Sequence, residues 1–301
     1  MFSDFIKNYR EKFGYTQTEL VSKIQTINES FEALDEITLS RWENGHTKPS
    51  MKKQVLLLIH LGLLKNFIHM YNEESMATGK LDSLLLKRYR NNFSGSDSPY
   101  CCCEKEPITV KEYDGVPSFR FKFYIEYFND VHKINVENLD TNVVINLISK
   151  MKLIEFYSSS GQIVGHFLYM IIDSEFISLN LRKKIATDYD FGDEGSIYIV
   201  SCYAATKKVF MYHIKILLDI IIHNNTFPKN VFVKCFFSEM MAFYESLGGN
   251  LVIKGPMSDF GMKINLKIYQ WVLYKIDVVE LLSSKVLYID ESVISDGFII
   301  E

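Results

Sequence analysis

Apolar side chains at Phe2, Phe5, Ile6, Tyr9 and Phe13 recur every three or four residues, the interval that lines one face of an α-helix, and Gly14 stops that run. A second helix is predicted from Thr16, which can cap it while Glu19 completes a capping box three residues on; Leu20, Val21 and Ile24 form its apolar face. Asp35 is the natural N-cap of a third. Leu39 and Trp42 share its inner face, and Gly45 closes it. "HTKPS" then leads into "MKKQVLLLIHLGLL", a fourth helix over 51–64.

The pattern changes after a linker at 71–106, which holds a basic helical piece (Lys87, Arg88, Arg90) and turns toward Ser, Gly and Pro at 94–99. From 107 onward α and β signals mix. "SFRFKFYIEYFND" fits strand or helix, and "TNVVINLISKM" has helical spacing. "LIEFYSSSGQIVGHFLYMIID" predicts a hairpin turning at Gly161. "SIYIVSCYA" predicts a buried central strand, followed by a helix over 206–224, the strand "NVFVKCFF", the helix "SEMMAFYESLGG", and antiparallel strands at "NLVIKG" and "YQWVLYKI". The expected fold class is α+β in two domains: an all-α helix-turn-helix bundle at 1–70 and a mixed α/β sheet domain at 107–301.

Composition narrows this picture. The 301 residues are 48% hydrophobic and 14% aromatic, enough for two cores, and 23% charged, which excludes a disordered or fibrous chain. The longest apolar run, "VLLLIHLGLL", is far short of the roughly 18 residues of a membrane span. Charges in "MFSDFIKNYREK" occupy the place of a signal peptide's apolar region, so the expectation is a soluble cytoplasmic protein with no membrane partner. Net charge is −4 overall; residues 1–70 carry nine Lys/Arg against eight Asp/Glu, about +1, and the remainder about −5. A nucleic-acid reading therefore rests on pattern rather than on a basic footprint. Cys101, Cys102 and Cys103 are consecutive and lack the gaps of a zinc site, and no metal is expected.

Two stretches of the first segment carry a resemblance. "YREKFGYTQTELVSKI" and "ITLSRWENGHTKPS" resemble the Cro/CI-like (XRE) repressor family, the first its helix 1 to helix 2 segment and the second its recognition-helix end. The chain departs from the family between Ile24 and Thr38, where "QTINESFEALDEI" is roughly eight residues longer than the usual tight turn. The resemblance implies double-stranded DNA as partner. It implies that Gln17 bonds a phosphate, that Thr38, Ser40 and Arg41 face the major groove with Arg41 able to pair with guanine, and that Lys48 holds phosphate. Weak net charge adds the expectation of a homodimer on a repeated site.

The order of hairpin, strand, helix, strand, helix and two strands in the second segment resembles the GNAT acetyltransferase fold, and "AFYESLGGNLV" resembles that family's Phe-Tyr-x-x-x-Gly piece. The family grips a pyrophosphate with a glycine-rich loop after the central strand. Here "TKKVFMYHI" has no glycine, and Val209, Phe210 and Tyr212 are expected where bare backbone is required. Phe237 replaces a frequent asparagine, while Tyr244 matches the family's general acid. By the resemblance the central strand and the next one part, leaving a cleft that Val200, Cys202, Lys207, Lys208 and Tyr244 would line. No cofactor and no catalytic residue are expected.

The sequence thus predicts a DNA-binding transcriptional regulator whose degenerate GNAT-like domain binds a small-molecule effector or mediates dimerisation. The alternatives are an active acetyl-CoA-dependent N-acetyltransferase targeted to DNA and an antitoxin-like or phage-repressor-like protein binder. His166, His213 and His223 show no triad or metal pattern, and "DYDFGDEG" reads as a solvated turn.

Overall fold

The computed structural model describes residues 2–65, 83, 85, 89, 107–120, 122–123, 149–172, 195–224, 227–284 and 298–300. Lys87, Arg88, Arg90, Cys101–Cys103, the acidic turn at 188–194 and most of "TNVVINLISKM" lie outside them. The chain forms two units, Met1–Thr78 with Val279–Tyr288, and Gly79–Val278 with Ile289–Glu301.

In the helical unit, α1 (Phe2–Lys12), α2 (Gln17–Gln25) and α3 (Glu36–Glu43) follow the predicted boundaries, whereas α4 (Met51–His60) stops four residues short of the expected 64, where Leu61 caps it and Gly62 takes φ +70°. Gly14 and Gly45 end α1 and α3 with φ of +69° and +70°, a region that costs residues with a Cβ. The Thr16–Glu19 capping box is present in both directions, and the Asp35 carboxylate accepts from Thr38 N at 2.7 Å. The long segment between α2 and α3 is not a slack loop. Asn28 caps a 3-10 turn at Glu29–Phe31, Phe31 enters the core at 1% exposure, and the Gln25 amide donates to Leu34 O at 2.8 Å. Burial of that one ring is worth about 1.5–3 kcal/mol, which fixes the insertion to the bundle. Phe2, Ile6, Leu20, Ile24, Leu39, Val55, Leu57 and Leu58 complete the core. A short helix, α7 (Val278–Ser283), sends Glu280 of this unit to Lys52 at 2.5 Å.

The second unit is built on an eight-stranded sheet of order β10-β1-β2-β3-β4-β5-β9-β6. Its strands are β1 (Ile108–Asp114), β2 (Lys152–Tyr157), β3 (Ile163–Ile171), β4 (Ile197–Ala204), β5 (Asn230–Cys235), β6 (Asn250–Lys254), β9 (Val272–Asp277) and β10 (Phe298–Ile300). β7 (Met257–Ile264) and β8 (Lys267–Tyr269) form a separate hairpin. β1 through β4 are antiparallel neighbours, β4 and β5 are parallel, and β9 inserts antiparallel between β5 and β6. The helix α5 (Lys207–His223) makes the crossover that a parallel pair requires, and α6 (Ser238–Ser246) follows β5. The predicted order of hairpin, strand, helix, strand, helix and final strands is the order observed. The ambiguous "SFRFKFYIEYFND" is helical at 118–120 and 122–123.

Two irregularities shape the middle of the sheet. Leu168 pairs with Ser201 and Tyr169 with Ile199, so Val200 is the extra residue of a β-bulge. β4 and β5 pair only over Ile197–Ile199 and Val231–Val233, although both strands run further; past Ile199 they part. α5 lies close on the sheet because β3 carries Gly165 beneath it, where a Cβ would meet Val209 Cγ1 and Tyr203 O at 2.7 Å each.

Candidate functional sites in the two units

On α3, Leu39, Trp42 and Glu43 point into the helical unit. Ile37, Arg41 and Asn44 are exposed at spacings of four and three residues, one stripe along the helix. Thr38 and Ser40, flanking that stripe, are half-buried, and Lys48 is exposed on the segment after α3. The inner side is held by charge: Glu43 accepts from Arg10 Nε at 2.6 Å and Nη2 at 3.2 Å, and from Gln17 Nε2 at 2.8 Å. A 6%-exposed carboxylate gripped by a guanidinium fork and an amide ties α1, α2 and α3 together. Gln17, expected at a phosphate, thus has its side-chain amide turned to Glu43. Glu36, whose charge would repel phosphate, accepts from the Thr18 hydroxyl at 2.8 Å.

In the sheet unit, the side chains of β4 beyond the bulge alternate between two faces. Cys202 and Ala204 share the face of Phe167 and Gly165, the face on which α5 packs through His213. Here Cys202 is the hydrogen-bond partner of Tyr244, whose ring lies 5.6 Å from that of Tyr274. Burial raises the Cys202 thiol to about 12 and holds the Tyr244 hydroxyl well above its usual range, so both keep their protons at neutral pH. Cys235, at the end of β5, is also raised to about 12 by burial, and its thiol donates to Phe237 O at 3.2 Å. Phe237 is the N-cap residue of α6 and supplies no side-chain cap, a role the asparagine of the GNAT pattern is equipped to play.

The glycine-free turn differs from the expectation. Thr206 caps α5, its hydroxyl accepting from Val209 N at 3.2 Å. Val209 and Tyr212 do not crowd the turn: Val209 sits over Gly165, and Tyr212 packs at a tilt on Phe298, ring centroids 4.4 Å apart, and edge-on to Phe156 at 5.4 Å. Phe210 turns toward α6, with its ring 5.3 Å from that of Phe243. Lys207 and Lys208 are half-exposed in the first turn, and Lys208 Nζ lies 5.0 Å from the Phe298 ring centroid. Val200 is 1% exposed.

Sequence patterning misses the opposite face of the sheet. Glu155 on β2, His166 on β3 and Ser201 on β4 lie side by side there at 0%, 0% and 3% exposure. His166 Nε2 and Ser201 Oγ are 2.7 Å apart, and Arg120 and Tyr157 engage the Glu155 carboxylate. On β5, Lys234 is 4% exposed with its Nζ 4.5 Å from the Trp271 ring centroid. Period-two alternation marks such strands as buried but does not show which polar residues meet across neighbouring strands. Among the described residues no cluster of three or more His, Cys, Asp or Glu is arranged to hold a metal, and no helix is long and apolar enough to cross a membrane.

No family model and no curated protein matches this sequence. Among solved structures, the chain is similar to Arabidopsis thaliana NAA60 in complex with acetyl-CoA, at 10% identity over 56% of this chain and 98% of that one, with a TM-score of 0.34. It is also similar to an N-acetyltransferase from Staphylococcus aureus, at 11% identity over 56% and 98% of the two chains (TM-score 0.32). A third is histone acetyltransferase HPA2 and related acetyltransferase from Corynebacterium glutamicum, at 12% identity over 57% and 96% (TM-score 0.31).

Proposed function

We propose that this chain is a sequence-specific DNA-binding transcriptional regulator whose sheet unit binds an effector or mediates dimerisation. The observation that supports it is the division of α3 into a face locked by Leu39, Trp42 and the Glu43–Arg10–Gln17 bonds and an open stripe of Ile37, Arg41 and Asn44. A reading helix needs both, a rigid back and exposed side chains that can meet base edges, and Arg41 is the long one here, since the Asn44 amide donates to Ser40 O at 2.8 Å. Arg41 pairs with guanine in this reading, and Lys48 with backbone amides nearby sets the register. Selection from randomised duplexes tests it. An enriched site should emerge, with two half-sites spaced for a dimer, and Arg41→Ala should weaken binding about tenfold or more at fixed salt. Binding without enrichment, equal for all sequences and falling only with salt, would refute it.

The second reading is an acetyl-CoA-dependent N-acetyltransferase. Its support is local: β4 and β5 part beyond Ile199, a capped helix N-terminus with Lys207 and Lys208 follows, and Tyr244 retains a proton that a departing thiolate needs. Calorimetric titration with acetyl-CoA and a turnover assay separate the two. Saturable binding together with turnover that Tyr244→Phe abolishes belongs to the enzyme alone.

A further inference from the structure

We propose that Ser201, His166 and Glu155 form a nucleophilic relay in which Ser201 takes an acyl group from an activated ester or thioester. This goes beyond both readings above, because it uses the face of the sheet opposite Cys202 and Tyr244.

Three adjacent strands each contribute one member. Glu155 is directly opposite His166 across β2 and β3, a position that places their Cβ atoms about 4.5–5.5 Å apart. His166 pairs with Tyr203 on β4, and Ser201 is the diagonal neighbour whose Oγ lies 2.7 Å from Nε2. Carboxylate, imidazole and hydroxyl in that order are the roles that make a serine a nucleophile, whatever the fold that supplies them. The far side of the carboxylate is anchored as well. Arg120 Nε lies 3.3 Å from Glu155 Oε1, Tyr157 donates to Oε2, and Arg120 Nη2 donates to the Tyr157 hydroxyl at 2.7 Å. Five polar side chains converge on a face that also carries Leu153, Leu168, Met170 and, opposite His166, Tyr203.

The location favours chemistry. Ser201 directly follows the bulged Val200 and lies two residues past Ile199, the last residue of β4 paired with β5. The bulge re-aims the strand, and past Ile199 the side of β4 toward β5 is no longer closed by ladder pairing. Burial also holds His166 far below its usual range, at about 3, so the imidazole is neutral at rest and takes a proton only as the Glu155 charge on the neighbouring strand offsets the cost of its buried cation. Ser201 Oγ adds to the acyl carbonyl carbon as its proton passes to His166 Nε2. The carbon–sulfur or carbon–oxygen bond then breaks, and the leaving thiolate or alkoxide takes that proton. Water or an amine next attacks the Ser201 ester, gives its proton to Nε2, and releases the acid or amide with Oγ reprotonated. Glu155 is a positioning residue that steadies the imidazole and its transient positive charge.

The test is to treat the full chain with a small alkyl fluorophosphonate and, separately, with S-phenyl thioacetate, and to follow intact mass and map the modified peptide. One adduct per chain on Ser201 is expected, absent in Ser201→Ala and formed on the order of a hundredfold more slowly in His166→Gln. In Glu155→Gln the maximal labelling rate should fall while the half-saturating reagent concentration stays, a split that a loss of packing would not give. No adduct on the folded parent chain overturns the proposal, as does an adduct that survives in Ser201→Ala.

Discussion

Lys234 offers the sharpest test of the physical reasoning in the sheet unit. Its ammonium is 4% exposed, has no hydrogen-bond partner among the described residues, and lies 4.5 Å from the Trp271 ring centroid. Desolvation alone lowers it to about 7. Against an ordinary value near 10.4, that is roughly three units, or about 4–5 kcal/mol against the charged form in the folded chain. Lys234→Met keeps the length of the side chain and removes the charge, so it should stabilise the unit by about that amount near pH 6. Below about pH 7 the lysine is charged in both states and the cost is complete. Between about pH 7 and 10.4 the folded chain sheds the proton that the unfolded chain keeps, so the parent gains stability as pH rises and the advantage of the variant shrinks. Guanidinium unfolding of a Trp42→Phe background, read through the remaining Trp271 emission, measures it. An advantage that is equal near pH 6 and near pH 10, or a variant less stable than the parent near pH 6, would refute the account.

Glu43→Ala removes the shared acceptor of the half-buried Arg10 guanidinium and Gln17 amide, and should cost about 1–3 kcal/mol in thermal or chemical unfolding of the helical unit. Gly165→Ala drives a methyl into Tyr203 O and Val209 Cγ1, and should cost about 1–3 kcal/mol with α5 lifted from β3, seen as faster amide exchange along the helix. Asp35→Ala removes the cap of α3 and should cost about 1 kcal/mol, with Asp35→Ser restoring most of it by circular dichroism melting.

The helical unit is the more legible of the two. Thr16, Glu19, Asp35, Gly14 and Gly45 each act within a few residues of themselves, so the sequence alone carries their instruction. The same holds for the β2–β3 hairpin, whose turn is set by Gly161 at φ +78°. The role of Phe31 is hidden, because a lone aromatic in a polar insertion gives no period. β1 and β10 escape for a related reason: their pairing joins residues 108–110 to 298–300, and β10 is only three residues long. Resemblance makes Gln17 a phosphate ligand, but no local pattern shows that a carboxylate 26 positions away reaches its amide. The relay of Glu155, His166 and Ser201 is illegible on the same ground. Each residue is ordinary on its own strand, and only the register of β2, β3 and β4 makes them neighbours.

Neither unit is a continuous stretch of chain, and this bears on how the protein is made. The helices before Thr78 share their unit with Val279–Tyr288, and β1, among the first strands to leave the ribosome, pairs at its edge, among the described residues, with Phe298–Ile300. Both units therefore wait for late-synthesised residues. Until then β1 presents an open edge to any neighbouring nascent chain. A stop codon or frameshift shortly before residue 298 would spare every residue of α3 and of the buried relay, yet would leave β1 with an unpaired edge open to association with another chain.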